Sequence, residues 1–159
     1  MKAAVVTISD GVAAGERDDE SGRLLVELLE AEHFEVEHRV VADERPQIAA
    51  AIRELARTAR LVLTTGGTGV SPRDFTPEAT ESVVDRPVPG IAEALRADAI
   101  RQTPHGLLGR GVAGVRGQSL IVNLPGSPGG CRDGFLLIKP ALEHALRLIA
   151  GDQTDHVQT

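Results

Sequence analysis

The chain has 159 residues, of which 42% are hydrophobic and 25% are charged, as expected of one globular domain and not of a disordered segment. Its formal net charge is −6 and it has no block of basic residues, so nucleic acids and anionic membrane surfaces are poor partners. Aromatic residues make up only 2% of the chain, which excludes a base-stacking surface for single-stranded nucleic acid and predicts an aliphatic core.

The cysteine and histidine content argues against a metal or disulfide framework. The one cysteine, Cys131, excludes an intramolecular disulfide and a cysteine-rich zinc site, and it fits a reducing compartment. The five histidines are scattered without metal-ligand spacing. Met1-Lys2 leads directly into a short predicted strand, and no apolar run approaches the roughly 20 residues of a membrane span. We therefore expect a cytoplasmic protein.

The first half of the chain alternates strand-like and helix-like segments. The predicted elements are a strand at 3–8, a helix at about 21–33, a strand at 34–42, a helix at about 46–59 and a strand at 61–65. The first and third strands are almost continuously apolar, which indicates a parallel sheet covered on both faces. The second strand alternates and indicates an edge or half-exposed strand. The polar loop between the first strand and helix is either a solvated surface loop or a lid over a site.

The second half contains two further strands and several helices. The predicted elements are a helix from Thr76, a helix at 91–101, a loop or single helical turn at 103–109, strands at 111–116 and 119–124 around Gly117-Gln118, and two helices separated at Pro140. This order predicts an α/β fold of three layers: a mostly parallel β-sheet with one antiparallel strand, and helices on both faces. We assign residues 1–151 to this domain and residues 152–159 to a flexible tail.

The stretch from Leu61 to Ala79 combines a buried strand, a glycine loop and a helix start. The loop Gly66-Gly67-Thr68-Gly69 lets the backbone adopt positive φ and approach a ligand closely. Thr76 suits the N-cap position and Pro77 the first helical position. Such an arrangement directs backbone N–H groups at a phosphate. Because neither a P-loop nor a dinucleotide motif is present, a plain strand-to-helix turn is the alternative.

Four unusual loops each follow a predicted strand. They are Ser9-Asp10-Gly11, Asp43, Gly66–Gly69 and Pro125-Gly126-Ser127. In a parallel sheet the carboxyl ends of the strands lie at one edge, where ligands bind, so we expect these loops to converge. Asp43 and Asp74 offer the oxygen ligands that Mg²⁺ prefers, and phosphoryl-type transfer requires mainly positioning and charge neutralisation.

Each of these residues also has a structural explanation. Asp43 fits a turn or N-cap residue, and Asp74 fits either an ion pair with Arg73 or a helix cap. Arg73 is either a solvated charge or a phosphate contact. Ser127 fits plain turn chemistry, and Cys131 fits a packing residue.

The segment GGTGVSPRDFTPEAT resembles the signature of the MogA/MoaB-type molybdenum cofactor biosynthesis domain, which also occurs as the G domain of gephyrin. The similarity extends to Ser9-Asp10, to Asp43 and to Leu124–Pro128, so it covers nearly the whole chain. It implies a molybdopterin adenylyltransferase, an enzyme that adenylylates molybdopterin with Mg-ATP and releases pyrophosphate. The alternative is a non-catalytic MoaB-like protein, or a paralogue, that only binds molybdopterin.

The resemblance also implies a set of site residues and partners. Asp43 and Asp74 correspond to the essential acidic pair and are the expected catalytic residues and Mg²⁺ ligands. The residues expected to bind substrate or nucleotide phosphates are Ser9, Asp10, Gly66, Gly67, Thr68, Gly69, Arg73, Thr76, Pro125, Gly126 and Ser127. ATP and molybdopterin are the expected substrates. The expected assembly is a homotrimer or hexamer, with a molybdate-insertion protein as a further partner.

Overall fold

A six-stranded sheet runs through the middle of the molecule in the computed structural model, which describes residues 1–152. Its strands are β1 (Lys2–Ile8), β2 (Glu35–Val41), β3 (Leu61–Thr65), β4 (Arg86–Pro87), β5 (Ala113–Arg116) and β6 (Ser119–Leu124). The strand order is β2-β1-β3-β6-β5-β4. β2, β1, β3 and β6 pair in parallel, whereas β5 is antiparallel to both of its neighbours. The predicted sheet with one antiparallel strand is therefore confirmed, and the short β4 is an addition to it.

Helices cover both faces of the sheet, as predicted. They are α1 (Asp10–Ala13), α2 (Glu20–Ala31), α3 (Arg45–Leu55), α4 (Thr76–Glu81), α5 (Pro89–Gln102) and α6 (Pro128–Ala150), with a 3₁₀ helix at Pro104–Leu108. On one face, Leu25 of α2 and Phe135 of α6 pack with Leu63 of β3. On the other face, Ile48 of α3 and Val62 of β3 belong to a separate aliphatic cluster. The three-layer α/β architecture follows from these two cores.

The edge position predicted for the second strand is confirmed. β2 pairs only with β1, and its residues are exposed or half-buried along its whole length. The polar segment after β1 differs from the predicted loop, because it begins with the short helix α1. The Ser9 hydroxyl caps this helix by accepting a hydrogen bond from Val12 N at 3.2 Å.

The prediction of two C-terminal helices separated at Pro140 is wrong. α6 continues through Pro140 as one helix of 23 residues. Proline removes the backbone donor that would pair with the carbonyl of Leu136, but both residues are exposed, so water can solvate that carbonyl. The buried stripe that includes Phe135, Ile138 and Leu142 continues unbroken past the proline and keeps the helix on the sheet.

None of the helices within residues 1–152 is both long enough and apolar enough to cross a membrane. The segment predicted to be a flexible tail lies, from residue 153 onwards, outside the described residues.

Candidate functional site

The loops that follow β1, β2, β3 and β6 meet at the carboxyl edge of the sheet. β3 and β6 are adjacent and parallel, so the glycine loops that follow them emerge side by side. A Cβ built on Gly126 would lie 3.5 Å from the Cα of Gly66. The Thr65 hydroxyl also donates to the carbonyl of Pro125 at 2.7 Å, which ties one glycine loop to the other.

The first glycine loop requires glycine at two positions. Gly66 has φ of 97°, and a Cβ there would lie 2.2 Å from the carbonyl oxygen of Ile8. Gly67 has φ of 66°, and a Cβ there would lie 2.4 Å from Oγ1 of Thr76. Left-handed backbone, together with close packing against Ile8 at Gly66 and against Thr76 at Gly67, therefore excludes side chains from this turn.

The expectation that Thr76 caps α4 is wrong. Phe75 occupies the N-cap position, and no side chain caps the helix. The Thr76 side chain is fully buried and donates to the carbonyl of Gly66 at 2.8 Å, while its backbone N–H donates to Gly67 O at 3.1 Å. Thr76 therefore fixes the shape of the glycine loop from behind.

Asp10 and Asp43 bind each other's backbone across the ends of β1 and β2. Asp43 Oδ2 accepts from Asp10 N at 2.8 Å, and Asp10 Oδ1 accepts from Asp43 N at 3.0 Å. Glu44, and not Asp43, is the N-cap residue of α3. The second oxygen of Asp43, Oδ1, has no hydrogen-bond partner among the described residues and lies 3.4 Å from the position of a Cβ on Gly67.

Arg73 joins the same group as an ion-pair donor. Its Nε donates to Asp10 Oδ2 at 2.7 Å and its Nη2 donates to Glu44 Oε1 at 2.9 Å. Asp74, the next residue, does not pair with Arg73 and does not cap α4. Its Oδ2 accepts from Ser71 N at 2.9 Å, so it closes a turn of its own loop. The same oxygen lies 2.9 Å from the position of a Cβ on Gly69.

The pKa values of Asp10 and Asp43 are shifted in opposite directions. Hydrogen bonds from Arg73 hold the pKa of Asp10 below its ordinary value. Burial raises the pKa of Asp43, and the charges of Asp10 and Asp74 raise it further. The ionised form of Asp43 is therefore disfavoured mainly by its loss of solvation, and a bound cation would favour that form.

Asn variants of Asp43 and Asp10 are expected to change stability in opposite directions at neutral pH. A raised folded-state pKa means that Asp43 destabilises the fold once the pH exceeds its ordinary value of 3.8, so Asp43→Asn should raise Tm. The lowered pKa of Asp10 means that its carboxylate stabilises the fold above 3.8, so Asp10→Asn should lower Tm.

The Asp43 difference should shrink as the pH falls from the raised folded-state pKa of Asp43 to 3.8. The Asp10 difference should shrink as the pH falls from 3.8 to the lowered folded-state pKa of Asp10. Thermal unfolding followed by circular dichroism at neutral and acid pH measures this. Shifts of the same sign in both variants, or shifts that persist in acid, would contradict the electrostatic assignment.

The second glycine loop starts α6. Ser127 is the N-cap residue, and its hydroxyl accepts from Gly130 N at 3.1 Å. The turn chemistry considered for Ser127 is therefore present. Because Pro128 has no N–H and the cap uses the N–H of Gly130, the N–H of Gly129 is the one that the first turn of the helix leaves available at the sheet edge. Cys131, in the first turn, is fully buried, and burial raises the pKa of its thiol to about 11, as expected of a packing residue.

A cavity of about 450 Å³ lies beside the glycine loops, between α5, the 3₁₀ helix and the start of α6. Three predicted site residues line it: Thr68, Pro125 and Ser127. Its polar lining further includes Arg96, Gln102, Thr103, His105 and Asn123, and its apolar lining includes Ala92, Leu95 and Leu124. Since Thr68 lines the cavity and Gly69 contacts Asp74, the first glycine loop stands between the cavity and the acidic residues.

The cavity residues of α5 and the 3₁₀ helix were not identified from the sequence, nor was Arg110. Arg110 donates from Nε to Gly69 O at 2.7 Å and from Nη2 to Asp74 O at 2.9 Å, and it forms an ion pair with Glu78. That ion pair lowers the pKa of Glu78. The sequence did contain one signal, because Arg110 stands between Gly109 and Gly111 in a segment without clear periodicity.

Asp43 and Asp74 are the two carboxylates that flank the first glycine loop. Within residues 1–152, no group of three or more His, Cys, Asp or Glu side chains could hold a metal ion by itself. Two carboxylates with free oxygens nevertheless suit Mg²⁺, which keeps several waters and is completed by substrate phosphates.

Comparison with known proteins identifies the family. A family model described as "Probable molybdopterin binding domain" matches residues 4–144. A curated relative, the molybdopterin adenylyltransferase of Helicobacter pylori strain 26695, is 37% identical over 153 residues, covering 93% of this chain and 87% of the relative.

Two solved structures share the fold. The molybdopterin biosynthesis enzyme MoaB of Thermus thermophilus is 46% identical, with a TM-score of 0.87 over 94% of this chain and 96% of that one. The molybdopterin biosynthesis Mog protein of Mycobacterium ulcerans is 43% identical, with a TM-score of 0.88 over 93% of this chain and 98% of that one.

Proposed function

Because the chain belongs to the family of molybdopterin-binding domains that serve molybdenum cofactor biosynthesis, we propose that it is a molybdopterin adenylyltransferase. One observation carries this proposal beyond the resemblance. Asp43 and Asp74 flank a glycine loop of positive-φ backbone, and the start of a long helix lies beside that loop. Backbone donors and two carboxylates within one site are the groups required to bind a magnesium triphosphate.

We propose Asp43 and Asp74 as the residues that would hold Mg²⁺. Their free oxygens and the raised pKa of Asp43 favour a cation at this place. When bound, Mg²⁺ would supply neutralisation of the triphosphate charge. Asp10 fits a different role, because both of its oxygens already accept hydrogen bonds. It would hold Asp43 and Arg73 in place.

The reaction joins an oxygen of the molybdopterin phosphate to the α-phosphorus of ATP. The bond from that phosphorus to the oxygen bridging it to the β-phosphate breaks, and pyrophosphate leaves. Such a transfer needs alignment and charge neutralisation more than acid–base groups. The N–H groups of the Gly66–Gly69 loop and of the α6 start would bind phosphate oxygens, with Ser9, Thr68 and Arg73 as neighbouring contacts. The loop would keep those donors fixed while charge redistributes.

The cavity is proposed to hold the ring system of one substrate. Its volume of about 450 Å³ and its mixed lining of small apolar and hydrogen-bonding residues suit a flat heterocycle. Because Thr68, Pro125 and Ser127 line it, a ring placed there would have its phosphate at the two glycine loops.

Several further properties remain part of the proposal. They are a single domain over residues 1–151, a cytoplasmic location, assembly as a homotrimer or hexamer, and delivery of the product to a molybdate-insertion protein.

The proposed activity is tested by measuring pyrophosphate release from Mg-ATP with and without molybdopterin. We expect release that depends on both molybdopterin and Mg²⁺. Binding of molybdopterin by the folded protein without release would contradict the enzymatic proposal and would leave a pterin-binding protein.

A further inference from the structure

Arg110 reaches from one wall of the site to the loop that carries Asp74. Its neighbours Gly109 and Gly111 both line the cavity. Its own backbone N–H donates to Thr68 O at 2.8 Å, and its side chain donates to Gly69 O at 2.7 Å and to Asp74 O at 2.9 Å. One residue thus binds three carbonyl groups of the segment from 68 to 74.

The guanidinium orientation is itself fixed. Nη1, the nitrogen that does not contact the loop, forms an ion pair with Glu78 on α4. The charged groups around Arg110 are therefore Glu78, the nearby Asp74 and, farther away, Glu81. Because the guanidinium group is planar and one of its nitrogens is held by the Glu78 carboxylate, its other two nitrogens donate in one defined geometry.

The loop of residues 68–74 has one other external side-chain anchor, because Arg73 donates to Asp10 and Glu44. Within residues 1–152, Arg110 is the one side chain that donates to carbonyl groups of residues 68–74. Apart from the bond that its carbonyl accepts from Arg110, Asp74 is hydrogen-bonded within residues 1–152 to Ser71 of the same loop, through its carboxylate and through its backbone N–H at 3.0 Å. The contacts with Ser71 close the turn, and of the two external side-chain anchors Arg110 is the one that binds Gly69 and Asp74 themselves.

We propose that Arg110 is a positioning residue for the reaction, holding the loop of residues 68–74 so that the Gly69 backbone and the Asp74 carboxylate occupy their working positions. This inference rests on the proposed function. It assigns to Arg110 no contact with substrate, and its effect passes through the loop. A displacement of about 1 Å at a reacting group can cost about 100-fold in rate, which sets the scale of the expected effect.

The test compares Arg110→Met and Arg110→Lys with the control Arg116→Met. Arg116 is a matched control, because it is also partly buried and donates to one backbone carbonyl, Val83 O, at 2.7 Å, away from the site. Two quantities are measured: kcat and KM for pyrophosphate release, and hydrogen exchange of the backbone amides of Ser71 and Asp74 in the ligand-free protein.

We expect Arg110→Met to lower kcat by about 100-fold and to accelerate exchange of the two loop amides by about 10-fold or more. Arg110→Lys should lose nearly as much, because an ammonium group can keep the pairing with Glu78 but cannot span two carbonyls. Arg116→Met should change neither quantity by more than about 2-fold, and exchange in β1 and β3 should stay constant in all folded variants.

Unchanged loop exchange in Arg110→Met would overturn the inference, and so would faster exchange with an unchanged kcat. If Arg110→Met fails to fold, the same measurements are made on Arg110→Lys. Full activity of Arg110→Lys would overturn the inference. If the wild type releases no pyrophosphate, the proposed function fails separately. In that case hydrogen exchange alone tests whether Arg110 holds the loop. Exchange of the Ser71 and Asp74 amides in Arg110→Met at the wild-type rate would then overturn the inference.

Discussion

Replacing Asp74 by Asn is expected to lower pyrophosphate release by about 10²- to 10³-fold while leaving the fold intact. The amide oxygen of Asn can still accept from Ser71 N, which in the wild type donates to Asp74 Oδ2 at 2.9 Å, so the turn should survive. The variant loses the negative charge beside Gly69, and with it one proposed Mg²⁺ ligand. Steady-state rates measured across a range of Mg²⁺ concentrations give the comparison.

Asp85→Asn is the matched control for this variant. Asp85 likewise accepts a backbone N–H, from Gly117 at 2.7 Å, but it lies by the β5–β6 turn, remote from the glycine loops. Its Asn variant should retain the wild-type rate. Substantial release by Asp74→Asn at saturating Mg²⁺ would remove Asp74 from the proposed catalytic group.

Gly66→Ala is expected to destabilise the protein by about 3 kcal/mol or more and to abolish activity. Two effects combine at this position. A non-glycine residue is strained at φ of 97°, and its Cβ would lie 2.2 Å from the carbonyl oxygen of Ile8. Because that oxygen belongs to the backbone at the end of β1, relief requires movement of the strand end or of the loop itself.

Gly117→Ala separates the strain of positive φ from the close approach of a Cβ to neighbouring atoms. Gly117 also has positive φ, of 54°, but a Cβ there would meet no atom within 4 Å. It should cost only the backbone strain, about 1 kcal/mol. Urea unfolding of both variants gives the difference. Equal losses of unfolding free energy in Gly66→Ala and Gly117→Ala would show that the close approach to Ile8 does not constrain the first glycine loop.

The proposed site would let an acidic protein bind a polyphosphate. With a net charge of −6, it has no basic cluster to offer, and Arg73 is engaged by Asp10 and Glu44. Backbone N–H groups at a positive-φ turn and at a helix start supply donors without added side-chain charge. The two flanking carboxylates then favour a ligand that arrives with its own cation.

The amino-acid sequence by itself determined the order of the main strands and helices, although not α1, β4 or the continuity of α6, and it determined that the sheet has an antiparallel strand and a glycine loop. The strand Leu61–Thr65 and the turn at Gly117 were predicted where they occur. These features depend on contacts within a few residues, such as apolar runs, turn residues and the glycine requirement of positive φ. The resemblance of the central segment then indicated the family.

Only the tertiary structure determined which side chains and backbone groups from distant parts of the sequence contact one another. The reciprocal bonds of Asp10 and Asp43 join residues 33 apart, and Arg110 binds carbonyl groups 41 and 36 residues away. α6 continues through Pro140 because that residue faces water. The cavity is formed between residues of α5 and of α6, which are far apart in the sequence. Periodicity shows which residues share a face of one element. The register and packing of the whole sheet determine which side chains converge from different elements.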